Sequence, residues 1–278
     1  MNKTIALGCF DGLHTGHAAV LSGATHCLLF DVHPQALLGG EPPPRLLDDH
    51  SRDGLLRALG VAPLILPFAE IHALPPRAFV EEILVKRLSA TGAACGYNYR
   101  FGAKAAGDAD TLTRLCEANG IDCRVVPPVL WEDAPVSATR IREALLAGDT
   151  AGANAMLGRP FGYNFPVLRG DGRGRLLGYP TANQSFPTGF LVPRRGVYAS
   201  RVTLAGEVYH AMTNIGLRPT FDGGRVLSET HIFDFKGDLY GQRLPVELLR
   251  FIRDERAFAG AQALTAQLER DAKECAVD

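Results

Sequence analysis

Short apolar runs alternate with stretches of helical period along the first half of the chain, and strand-like runs dominate the second. Thr4 to Gly8, Cys27 to Asp31, Ala62 to Leu66, Ala93 to Gly96 and Asp122 to Val126 read as buried strands. Between them the pattern predicts a short helix over Ala18 to Gly23, opening near Gly16, and a helix over Ser51 to Leu59 closed by Gly60. A further helix is expected over Asp108 to Asn119, capped by Gly120. Arg77 to Leu88 is the clearest helix, with Phe79, Val80, Ile83, Leu84 and Leu88 on one face. His33-Pro34 ends the second strand, and Pro42-Pro43-Pro44 marks an exposed loop. Ser137 or Thr139 caps a helix running to Ala147 and ended by Gly148, and Asp149 to Leu157 leads out of the first domain.

The period changes near Gly158, which divides the chain into domains 1–157 and 158–278. Beyond it Tyr163 to Leu168, Val197 to Leu204, Val208 to Ile215, Leu227 to Phe235 and Gln242 to Ile252 read as strands, with turns such as Asp222-Gly223-Gly224 between some of them. Gly260 to Cys275 closes the chain as an amphipathic helix with Leu264 and Leu268 inward. The fold expected is therefore α/β plus β. A Rossmann-like parallel sheet covered by helices is followed by a small antiparallel barrel closed by a helix.

In a parallel sheet the ligand crevice lies beyond the carboxyl ends of the strands. Three loops converge there: the one after the first strand, Phe30-Asp31-Val32-His33-Pro34, and Gly96-Tyr97-Asn98-Tyr99-Arg100-Phe101-Gly102. The first reads Gly8-Cys9-Phe10-Asp11-Gly12-Leu13-His14-Thr15-Gly16-His17. Its glycines permit close backbone approach, and two imidazoles stand at a helix opening, where unpaired N–H groups favour an anion such as phosphate. Arg140 and Arg142 lie in the first turn of their helix, the wrong end for the dipole unless a polyanion sits there. In the second half, Gly170-Asp171-Gly172-Arg173-Gly174-Arg175 is no dinucleotide fingerprint, since no helix is expected to begin there. Its glycines and arginines suit wrapping of phosphates. In Pro180-Thr181-Ala182-Asn183 a hydroxyl and an amide oxygen two residues apart can ligate magnesium together with ATP oxygens. Strand alternation sets Glu229, His231 and Phe233 on one face, and Thr230, Ile232 and Asp234 on the other. Glu229 is then a carboxylate on an aromatic barrel wall, able to take a proton from an attacking hydroxyl.

Composition narrows the function classes. The 29 basic and 30 acidic residues leave a net charge of −1, split as −4 before residue 150 and +3 after it. Neither half suggests nucleic acid as a partner. Six cysteines form no Cys-x-x-Cys pair and no zinc spacing, as expected of reduced thiols. No leader precedes Met1-Asn2-Lys3 and no apolar run approaches ~20 residues, so a reducing cytoplasm and no membrane are expected. The sequence carries no signal for an oligomeric state.

The paired-histidine stretch resembles that of nucleotidylyltransferases. The fuller string Gly-x-Phe-Asp-Gly-x-His-x-Gly-His is similar to the bifunctional bacterial riboflavin kinase/FMN adenylyltransferase family. Ser137-Ala138-Thr139-Arg140-Ile141-Arg142, Leu157-Gly158-Arg159-Pro160, the run Gly170 to Asn183, Asn214-Ile215-Gly216-Leu217-Arg218-Pro219-Thr220-Phe221 and Glu229 to Phe235 extend the likeness over essentially the whole chain, in order. The resemblance implies two reactions: ATP-dependent phosphorylation of riboflavin to FMN in the second domain, and adenylylation of FMN to FAD in the first, releasing pyrophosphate. It implies Mg2+, with ATP, riboflavin, FMN and FAD as substrates and products. It implies Glu229 as kinase base, Thr181 and Asn183 as metal ligands, and Gly172, Arg175 and Arg253 at the kinase ligands. For the adenylyl transfer it implies His14, His17 and Arg140 as charge-stabilising groups, with Gly8, Phe10, Asp11, Gly16, Asn98, Ser137 and Thr139 at the nucleotide.

Departures from the family pattern are Val32 for a proline, Tyr99 for a phenylalanine and a shorter first helix, with Phe165 for a glycine and Arg169 for a histidine. The last two bear on kinase efficiency and flavin preference. Two other readings stay open on sequence alone: a single-activity enzyme with one half degenerate, and a flavin-binding regulator without catalysis.

Overall fold

Five strands of the first half, β1 (Thr4–Leu7), β2 (His26–Phe30), β3 (Ala62–Leu66), β4 (Gly92–Gly96) and β5 (Asp122–Val126), pair in parallel in the order β3-β2-β1-β4-β5. A two-residue ladder, β6 (Leu130–Trp131) with β7 (Ala134–Pro135), follows them. The computed structural model describes residues 3–170, 172–218 and 225–276. The Asp222-Gly223-Gly224 turn, the Pro219-Thr220-Phe221 end of the Asn214 stretch, Asp171 and the Arg173 side chain lie outside the described residues. Two units are distinct: Met1–Pro44 with Asp49–Ser137, and Arg45–Asp48 with Ala138–Asp278.

Crossovers in the first unit are α1 (Thr15–Leu21), α2 (Pro34–Leu37), α3 (Asp49–Ala58), α4 (Phe68–Ile71), α5 (Pro76–Ala78) and α6 (Ala109–Ala118). Pro34 does more than follow a strand: it opens α2, with the His33 ring accepting from Gln35 N–H at 3.2 Å. The helix expected over Arg77 to Leu88 is α-helical only in α5 and continues as a π-helix over Phe79–Arg87. Leu88 N–H reaches back five residues to Ile83 O at 2.9 Å. Its apolar positions recur as 79/80, 83/84 and 88, every four to five residues, and the wider winding buries all of them in the core against Ile5, Leu7 and Phe101.

In the second unit six antiparallel strands form a nearly closed barrel, β8 (Phe161–Pro166), β9 (Ala182–Ser185), β10 (Gly196–Leu204), β11 (Glu207–Arg218), β12 (Arg225–Ile232) and β13 (Arg243–Arg253). Their order is β8-β13-β10-β11-β12-β9, and Leu168 N–H donates to Asn183 O at 2.7 Å to bring the two edges together. Helices α7 (Ala138–Ala147), α8 (Thr150–Leu157), α9 (Arg173–Leu176) and α10 (Ala261–Cys275) complete it. One expectation changes here. A helix does begin in the glycine-arginine run, because Gly172 at φ 69° turns the chain into α9, though for only one turn. Pro180 to Asn183 leads into a strand, β9, which weak β-formers reach only because β12 pairs with them.

Inward positions of the barrel hold a buried hydroxyl chain. Tyr163 Oη and Ser228 Oγ lie 2.6 Å apart, Thr230 and Thr213 2.9 Å, and Thr213 and Ser200 2.7 Å. Period-2 alternation therefore turns Asn183, Asn214 and Glu229 to the opposite face.

Candidate active sites

In the first unit the glycine-histidine loop leaves β1 through Phe10, which is buried in the left-handed region at φ 50°. His14 is the N-cap of α1: its Nδ1 accepts the His17 backbone N–H at 3.2 Å, so the ring proton of the neutral form sits on Nε2. The His14 and His17 rings stack at 3.6 Å, and Phe10 meets His17 edge-on at 5.3 Å. A Cβ at Gly16 would stand 3.1 Å from His14 Cε1 and crowd that ring. His17 Nδ1 is buried without a hydrogen-bond partner, and burial, then repulsion from His14, holds this imidazole well below its ordinary pKa. Of the backbone donors in the first turn of α1, the His17 N–H is thus taken by His14.

Beside this loop lies a largely apolar cavity of about 290 Å³ at the carboxyl ends of β1, β2 and β4, bordered by Gly8, Phe30, Phe68, Tyr99, Arg100 and Phe101. Asn98 occupies the exposed turn after β4, closed by Tyr99 N–H to Gly96 O at 3.0 Å, and does not border the cavity. Asp11 opens the short turn after Phe10. Ser137 ends the first unit, whereas Thr139 and Arg140 belong to α7 of the second.

The second unit holds a cavity of about 410 Å³ between the outward sheet face and α10. One cross-strand row runs through it. Asn183 on β9 stands opposite Glu229 on β12, Glu229 opposite Asn214 on β11, Asn214 opposite Val197 on β10, and Val197 opposite Arg253 on β13. All five border the cavity, as do Thr181, Gly172 and His231. Asn183 is 7% exposed; its Nδ2 donates to Thr181 O at 3.3 Å and its Oδ1 is buried with no hydrogen-bond partner. That orphaned oxygen beside Thr181 suits a hard cation, which prefers oxygen donors and few protein ligands. Gly170 and Gly174 are fixed by close approach: a Cβ would meet Asn183 Nδ2 at 2.6 Å and Tyr179 O at 2.3 Å respectively.

The wall around Glu229 is mixed rather than aromatic. The barrel's aromatic cluster, Tyr163, Phe165, Phe186 and Phe190, packs away from this cavity, with Tyr163 and Phe165 stacked at 5.4 Å. Phe165 thus fills core, and Arg169 lies over the Tyr240 ring at 5.2 Å; neither borders the cavity. Arg175 is exposed and outside it too. Every nitrogen of Arg253 has a protein partner, Asp271 for Nε and Nη2 and Asp254 O for Nη1. Leu264 and Leu268 do turn toward the cavity, yet the deepest positions of α10 are Gln267, Asp271 and Cys275. Asn214 was legible only as part of a motif stretch; its place beside Glu229 comes from register.

Sequence and structure comparisons agree along the chain. The FAD synthetase family model matches residues 1–140 and the riboflavin kinase model residues 157–277. A bifunctional riboflavin kinase/FMN adenylyltransferase of Bacillus subtilis is 33% identical over 289 residues, covering 98% of this chain and 91% of the relative. The Escherichia coli K12 protein of the same description is 34% identical over 281 residues, covering 96% and 90%. A crystal structure described as a macrolide-efflux protein from Streptococcus pneumoniae superposes with a TM-score of 0.90 at 30% identity, over 100% of this chain and 94% of that one. Among the described residues no helix is long and apolar enough to cross a membrane. With both family models matched and relatives aligned nearly end to end, the chain belongs to the bifunctional riboflavin kinase/FMN adenylyltransferase family.

Proposed function

We propose that this protein makes FAD in two steps, with residues 158–278 phosphorylating riboflavin and residues 1–157 adenylylating the FMN produced. The observation that carries the kinase reading is the row Asn183–Glu229–Asn214 in one cavity. It sets a candidate metal ligand, a carboxylate and an amide on adjacent strands, about 4.8 Å apart per strand. Glu229 takes the proton of the riboflavin 5′-hydroxyl as that oxygen attacks the γ-phosphorus of ATP. Thr181 and Asn183 would hold Mg2+, which when bound neutralises charge on the phosphates. Gly172, with Arg175 reaching in from solvent, serves the triphosphate.

In the adenylyl transfer the phosphate of FMN attacks the α-phosphorus of a second ATP, and pyrophosphate leaves. His14 and His17 donate to the phosphates through ring N–H groups, and Arg140 adds a fixed positive charge. His17 is neutral without ligand; an arriving phosphate raises its pKa and draws a proton onto the orphaned Nδ1. Gly8, Phe10, Asp11, Gly16, Asn98, Ser137 and Thr139 shape the nucleotide site. The partners are small molecules, with neither nucleic acid nor membrane, and the working compartment is the cytoplasm.

Incubating the protein with riboflavin and Mg-ATP, then separating flavins by chromatography, tests this. FAD is the expected product. FMN alone would leave a kinase only, and no product would leave a flavin-binding protein without catalysis. Supplying FMN directly tests adenylylation by the first domain separately from the kinase step.

A further inference from the structure

One guanidinium holds the far end of the helix that carries the histidine pair. Helix α1 spans only Thr15–Leu21, and its buried residues are Val20 and Leu21. A helix this short is marginal by itself and needs fixing from outside. Its final carbonyls divide between backbone and one side chain. Ser22 N–H donates to Ala18 O at 2.9 Å, and Ala24 N–H to Leu21 O at 3.0 Å. Arg124 of β5, 102 to 105 residues later in the chain, takes the others. Its Nη1 donates to Ala19 O at 3.2 Å, and its Nη2 to Val20 O at 3.0 Å and Ser22 O at 2.5 Å. The last turn of α1 has no basic residue of its own, so the cation that suits this end of the helix dipole comes from the sheet.

The opposite end of the same helix presents His14 and His17. His17 shares a helix face with Val20 and Leu21, at i, i+3 and i+4. The rings stack at 3.6 Å and His14 Nδ1 accepts the His17 N–H, so the pair moves with the helix as one body. At about 1.5 Å per residue, Ser22 stands roughly 7.5 Å along the axis from His17. A tilt of α1 about its last turn therefore displaces both rings. Arg124 sits opposite Ala94 of β4 in the parallel sheet, and β1 of that sheet delivers the glycine-histidine loop. One sheet thus fixes the loop and helix at both ends, through the chain at β1 and through a side chain at β5. A misplacement of about 1 Å at groups that act on a transition state costs on the order of 10²-fold in rate.

We propose that Arg124 is a positioning residue for the adenylyl transfer: by binding the last carbonyls of α1 it fixes where the His14 and His17 rings stand. This rests on the reading of those rings as charge-stabilising groups in that reaction. Arg124 does not border the cavity beside the loop, so it acts on turnover rather than on substrate affinity.

The test uses the full chain, with adenylylation assayed from supplied FMN and riboflavin phosphorylation as the internal control. Rates are referred to the folded fraction of the first domain, read from dispersed signals in NMR spectra. Arg124→Met keeps the stem and removes the donors. Its adenylylation kcat is expected to fall about 10- to 100-fold, with KM for FMN and for ATP within about two-fold and riboflavin phosphorylation unchanged. Arg124→Lys keeps the cation but not the planar fork, and its kcat is expected about 3- to 10-fold below wild type. Without substrates, the His17 ring signals, assigned by their loss in His17→Gln and displaced by the stacked His14 ring, are expected to move in Arg124→Met. A merely structural role would lower the folded fraction and leave kcat per folded molecule at the wild-type value, which overturns the proposal. Unmoved His17 signals also overturn it, as does wild-type kcat in Arg124→Lys should Arg124→Met not fold. A wild-type chain that makes no FAD from FMN sinks the adenylyl-transfer reading instead, and the ring signals still decide whether Arg124 fixes the pair.

Discussion

His14 and His17 lie ring on ring, 3.6 Å between centroids and 18° between planes, with the backbone N–H of the second bonded to Nδ1 of the first. Two cationic imidazoles would repel at that distance, and burial adds to the cost of charging His17. His17 is therefore held neutral in the folded protein.

A pH dependence follows from the lowered His17 pKa. In the unfolded chain this imidazole takes a proton near pH 6.5, but in the folded one only well below that. Stability is fully present above about pH 6.5 and is lost as pH falls toward the folded-state value, by up to about 1.4 kcal/mol per pH unit. His17→Gln is expected to flatten this slope. Urea unfolding followed by the fluorescence of Trp131, the single tryptophan, checks it at about pH 7.5 and pH 5.5. Equal slopes in the two proteins would refute the account.

Gly170→Ala is expected to damage the kinase without replacing any residue at its chemistry. The added methyl would stand 2.6 Å from Asn183 Nδ2 and must displace that amide. KM for Mg-ATP should rise about 10-fold, roughly the loss of one charge-assisted contact. FMN adenylylation, assayed from supplied FMN, should be unaffected.

Glu229→Gln keeps the shape of the row but removes the proton acceptor. Riboflavin phosphorylation should fall by about 10²–10⁴ in kcat, with riboflavin binding by fluorescence unchanged. Retention of wild-type turnover would remove Glu229 from the mechanism.

The sequence resemblance implies a glycine where this chain has Phe165, whose ring is 4% exposed within the Tyr163–Phe186–Phe190 cluster. Restoring glycine by Phe165→Gly should cost about 3–5 kcal/mol in unfolding free energy, because the ring leaves a core cavity. Because Phe165 does not border the kinase cavity, turnover per folded molecule should not improve.

The alternating elements of the first half were readable residue by residue, since β3 and β5 fall on Ala62–Leu66 and Asp122–Val126 as the apolar runs predict. The Phe79–Arg87 segment was readable as a helix but not as a π-helix, because winding depends on which core positions must be filled. Strand β9 was not readable at all: Ala-Asn-Gln-Ser has no strand pattern, and its structure comes from β12 alongside it.

By itself the sequence determined the two fold classes, the family and the identity of the chemically capable residues, because these are written in local periodicity and contiguous motifs. Tertiary structure alone decided which of those residues share a site. Asn183, Glu229, Asn214 and Arg253 are brought into one row by strand register, a long-range property that no local window contains. The pairing of Arg253 with Asp271 was decided in the same way, through a helix packed on a sheet face 18 residues farther along the chain.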